Sequence, residues 1–183
     1  MRRLLWIAAL LLVPASFAAA QATPEEAAAA FGAALKANDW PAAARLMHPQ
    51  ALQQLRGMFE PLIAMPGMEQ LGDRLFGAHS QAEFAAIPDT ILFASFLRAS
   101  LSQQPGLTDA MRTAVISPLG HIAAGGDTVL VVSRVAISID SLTITQFDVM
   151  PFVPLDGRWR GLLKADFTNM AKLLERSLNA RRS

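Results

Sequence analysis

Cysteine and tyrosine are absent from this chain of 183 residues, and histidine occurs only three times. Without cysteine there is no disulfide scaffold and no lipid-modified thiol to anchor the chain to a membrane, so stability has to come from burial. The 52% of hydrophobic residues supply the material. His48, His79 and His121 are far apart and show none of the close spacings of a metal site. No serine stands in a nucleophile-elbow sequence, and no glycine-rich phosphate loop follows a strand, so the reading includes neither metal nor cofactor. Charge is also scarce, at 17% of residues with a net +1, which lacks the basic field that nucleic acid demands.

Long apolar runs are limited to the first one. Arg2 and Arg3 precede an almost wholly apolar Leu4–Phe17, and Ala18-Ala19-Ala20 follows before Gln21. This is the pattern of a secretory signal peptide with an Ala-x-Ala cleavage site, and the run is too short to span a bilayer comfortably. The expectation is a signal peptide over 1–20, a mature protein that is periplasmic or secreted, and no transmembrane anchor. A single domain over 21–183 would then carry 14 basic and 15 acidic residues.

Within that domain, 23–104 reads as helical. Thr23-Pro24-Glu25-Glu26 is a capping box with proline in the first turn, opening a helix that should stop near Asn38. Asp39-Trp40-Pro41 starts a second helix. After Pro49, the residues Leu52, Leu55, Met58, Phe59 and Leu62 recur at helical spacing up to Met65-Pro66-Gly67. Met68–Phe76 closes on Gly77, Ser80 and Glu83 form a second capping box, and Pro88 restarts a helix so apolar that more than one side should be buried.

From 112 to 165 the pattern is that of an antiparallel strand meander, and Asp166 caps a terminal helix over 166–180 striped by Met170, Leu173, Leu174 and Leu178. Gly125-Gly126, Asp140-Ser141 and Asp156-Gly157 are the hairpin centres. They pair Val129 with Phe152, Val131 with Met150, Ser133 with Asp148, Val135 with Gln146 and Ile137 with Ile144. The same register puts Trp159, Ile122 and Leu163 on the core face with Met150. It puts Arg134, Arg160, Lys164, Thr143, Thr145, Val132 and Val149 on the other, and His121 on the face opposite Asp148.

Helices followed by strands predict an α+β fold, with an N-terminal helical layer on a curved antiparallel sheet of about four strands and a C-terminal helix. The succession Phe31, Leu35, Asn38-Asp39-Trp40, Leu46, Pro49, together with Asp156-Gly157-Arg158-Trp159-Arg160, resembles the nuclear-transport-factor-like superfamily, which includes the ketosteroid-isomerase-like proteins. That resemblance implies a cone-shaped interior, used across the superfamily for isomerisation, dehydration, ligand carriage or dimerisation. In its isomerase-like members a carboxylate in the cone abstracts a proton, and a tyrosine or protonated acid stabilises the oxyanion. The chain departs from the pattern in its lack of tyrosine, its long helical stretch from Pro49 to Gln104 and its terminal helix, which would lid the cone or fill it.

Two groups of residues are candidates for function. Asp148, on the core face beside Ser133 and Gln146, needs polar partners and is the one candidate base. Met58, Met65 and Met68 cluster with Phe59 and Leu62 around a helix break, and with Phe96 they offer an adaptable apolar surface. The leading expectation is an exported non-catalytic domain that binds an apolar small molecule, a lipid or another envelope protein through Met58, Phe59, Phe96, Asp148, Gln146 and Ser133. The alternatives are a cofactor-independent lyase or isomerase using Asp148, and a periplasmic lipid carrier; a homodimer fits any of the three.

Overall fold

A computed structural model describes residues 22–102, 106–139 and 142–164. The expected signal peptide, the Asp140-Ser141 turn and the terminal helix lie outside them. Two layers result, with helices first and then an open, antiparallel four-stranded sheet in the order β1-β2-β3-β4.

Local chemistry sets the helix boundaries. In α1 (Pro24–Lys36) the Thr23 hydroxyl accepts from the Glu26 amide at 3.2 Å, and the Glu26 carboxylate accepts from the Thr23 amide at 3.3 Å. Asn38 turns the chain at φ 54°, and the Asp39 carboxylate caps α2 (Trp40–Arg45). The His48 ring accepts from the Gln50 amide at the start of α3 (Pro49–Ile63). Gly77, at φ 69°, ends α4 (Glu69–Phe76) in the left-handed conformation. Ser80 caps α5 (Gln81–Ala86), while the Glu83 carboxylate reaches back one residue further, to the His79 amide. The long apolar helix α6 (Asp89–Ser102) packs on α2, α3 and α4, which is why Leu92, Phe93, Ala94 and Ala99 are all buried.

The strand region begins later than the sequence pattern suggests. Leu107–Thr113 is a seventh helix, α7, entered through Gly106 at φ 84°. Two turns are too short to impose a helical period on the surrounding sequence, so this helix reads as the approach to a strand. The strands are β1 (Val115–Gly125), β2 (Thr128–Ile139), β3 (Leu142–Leu155) and β4 (Arg158–Gly161).

Pairing of β2 with β3 follows the expected register at all five positions, including Ser133 with Asp148. Asp156 and Gly157, both at positive φ, make the tight turn into β4. The β1–β2 hairpin differs. It turns at Gly126-Asp127, with Gly125 opposite Thr128, and its register shifts at Ala124 and again at Leu119. Each unpaired residue exchanges the faces of the residues beyond it. Val115–Pro118 therefore regain the expected partners, whereas His121–Ala123 are displaced by one. Ile122 is thereby removed from the core face and is 60% exposed, and His121 joins the face that the helices cover.

Gly161 ties β4 to the helical layer. It bridges to Met47, donates to the Leu46 carbonyl at 2.9 Å and accepts from the His48 amide at 2.8 Å. A Cβ here would stand 2.5 Å from the Met150 methyl and 3.1 Å from the Met47 sulfur. The core runs between the layers, centred on the fully buried Leu55, Phe84, Leu92, Val131 and Phe152.

Candidate ligand-binding site

Where the helical layer meets the covered face of the sheet, a cleft of about 280 Å³ remains. Its walls come from separate segments. Phe31 and Leu35 stand one turn apart on α1, and Phe93, Phe96, Leu97, Ser100 and Leu101 form a continuous stripe along α6. Met111 on α7, Met47 after α2, Met150 on β3 and Leu162–Lys164 after β4 complete it. Ser100 and Lys164 bring the only polar side chains among these residues.

Lys164 corrects the register-based expectation that it faces away from the core. Pairing of β4 with β3 stops at Gly161, and alternation lapses after the Leu162 amide donates to the Pro151 carbonyl. The Lys164 ammonium then donates to the Asp148 carboxylate, which lies on the covered face. Both side chains keep more than a third of their exposure, so the pair sits at the rim of the cleft.

The other expected site residues divide. Ser133 is buried opposite Asp148 on β2, but the ion partner of Asp148 is Lys164. Gln146 is exposed, two residues along β3. Phe96 lines the cleft, whereas Met58 is a buried core residue and Phe59 stands behind Phe96, their ring centres 5.5 Å apart. Phe59 continues into an aromatic chain through Phe76 at 5.0 Å to Phe84 at 5.2 Å, which backs the α6 wall.

Two polar anchors that the sequence pattern did not single out hold the walls in place. Arg56 on α3 pairs with Asp89 at 2.5 Å and donates to the carbonyls of Phe84 and Ile87, with its guanidinium 5.5 Å from the Phe84 ring centre. It therefore fastens the α5–α6 connection to α3. At the other side His121 Nδ1 lies 2.6 Å from Glu25 Oε1, joining β1 to the start of α1. The hydrogen bond to His121 holds the Glu25 carboxyl below its ordinary value, outweighing the opposing effect of burial.

A second, more open cleft between α1 and α2 is floored by alanines and rimmed by Arg45, Arg158 and Arg160. The Arg160 guanidinium there donates to the Arg45 carbonyl. Among the described residues no cluster of three or more His, Asp or Glu side chains is placed to hold a metal ion, and no helix is long and apolar enough to cross a membrane. No protein family matches the chain, and neither a curated protein nor a solved structure matches it significantly.

Proposed function

We propose that this chain is a non-catalytic binding domain for an apolar small molecule, taken up in the cleft between α1, α6 and β3. The observation that carries the reading is the composition of the walls: aromatic, leucine and methionine side chains throughout, with only Ser100 and Lys164 to orient a polar end. The methionines Met47, Met111 and Met150 suit such a role, because an unbranched thioether side chain adapts to irregular apolar shapes. A volume of about 280 Å³ suits a single chain or ring system better than the paired chains of a phospholipid. Asp148 lends the alternative lyase or isomerase reading little, since a partly exposed carboxylate engaged by an ammonium is poorly placed to take a proton.

The apolar run before Ala18-Ala19-Ala20 supports binding outside the cytoplasm, and N-terminal sequencing of exported protein would read Gln21 or Thr23 if it does. Binding itself is tested by filling the cleft. Met111→Trp should abolish uptake of the neutral probe 1-decanol while leaving the thermal midpoint close to that of the unsubstituted protein. Undiminished uptake by the filled variant would refute the reading.

A further inference from the structure

From the rim pair we infer that the ligand is a single-chain amphiphile with an anionic head, whose head group exchanges with Asp148 for the Lys164 ammonium. This rests on the cleft being the binding site, and it adds a sign of charge and a size. Among the described residues, Lys164 is the one charged residue of the lining and Asp148 is not part of it, so the charged group an occupant can engage there is a cation. An ion pair whose side chains are 38% and 40% exposed is weakly held, so a competing carboxylate or phosphate can displace Asp148. Ser100 is the second polar side chain of the lining and offers a hydroxyl to the same occupant. The remaining walls contribute no group that rewards polarity along the rest of the molecule. At roughly the 30 Å³ that a water molecule takes in the liquid, the volume of about 280 Å³ holds about nine methylene-sized groups.

Three probes of equal chain length separate the head-group inference from the cleft reading: decanoate, 1-decanol and decyltrimethylammonium, each titrated calorimetrically into the purified protein at pH 7. Decanoate should bind up to about tenfold more tightly than decanol, the scale of the difference between a charge-assisted hydrogen bond and the weak exposed pair it displaces, and the cation more weakly than either. Lys164→Met should bring decanoate down to the level of decanol and leave decanol unchanged. Asp148→Asn should tighten decanoate by removing its competitor, and it gives an independent readout should the lysine variant fail to fold. Equal binding of decanoate and decanol, a preference for the cation, or an unaltered preference in Lys164→Met would overturn the anionic head group and leave the cleft standing. Failure of all three probes to bind would overturn the cleft reading as well.

Discussion

Met150 and Val149 are neighbours on β3, both apolar and both in the long central part of the sheet, yet Met150 is 8% exposed and Val149 43%. The contrast continues along the sheet. Val131 and Phe152 lie under the helices and are fully buried, whereas Phe147 and Ile122, on the face without helices among the described residues, are each more than half exposed. The two faces thus have different duties, set by the helices that pack over one of them and by the polar residues Arg134, Thr143 and Thr145 that intersperse the apolar ones on the other. Burial on the helical side is incomplete at the apolar cleft, which is lined by segments from both layers. Large apolar side chains contribute strongly to stability only where they lose contact with water.

Truncating a side chain on the covered face should cost far more stability than truncating one on the open face. Phe152→Ala should cost about 3–5 kcal/mol, because a fully buried ring leaves a cavity that the surroundings only partly refill. Arg56→Ala comes next, at about 2 kcal/mol, since it leaves the Asp89 carboxylate and two carbonyls without their donor in a partly buried setting. Both are measured as shifts in the urea midpoint at constant slope.

A smaller effect comes from the latch between α1 and β1. The Glu25 carboxyl is held below its ordinary value of 4.5 by the His121 hydrogen bond. A lowered folded-state value means that the stabilisation is fully present above that ordinary value and is lost as pH falls through the lowered one. The stability advantage of the unsubstituted protein over Glu25→Gln should therefore be present above the ordinary value of 4.5 and shrink as pH falls below it. Urea unfolding at pH 7 and at pH 3 checks this, and an advantage that grows on acidification would contradict it. Smallest of all is Phe147→Ser on the open face, which should change stability by no more than about 0.5 kcal/mol.

The sequence made much of this layout readable, because the signals were local. Thr23 and Glu26, Asp39, His48 and Gly77 mark helix ends through hydrogen bonds and backbone conformations that depend on a few neighbouring residues. The β2–β3 register was legible because the hairpin centre at Asp140-Ser141 fixes which residues oppose one another, and all five expected pairs form. Where non-local geometry intervened, the pattern was silent. The extra residues Leu119 and Ala124 together offset the displaced turn, so they leave the beginning of β1 in register while turning His121 inward and Ile122 outward. Helix α7 was too short to declare itself. The cleft was harder still, since its walls are gathered from residues between Phe31 and Lys164 that are brought together only by packing. Met58 and Phe59 share the helical period of the core, and period alone does not distinguish a residue in the wall from one behind it.

The absence of cysteine makes the central claim, that the covered face holds a ligand cleft and the open face does not, directly measurable. Met111→Cys places a single thiol in the cleft, and Phe147→Cys places one on the open face. The rate of modification by N-ethylmaleimide is then followed with and without saturating decanol. Decanol should slow the reaction at position 111 and leave position 147 unchanged. Equal rates with and without decanol at both positions, under conditions where both thiols react, would contradict it.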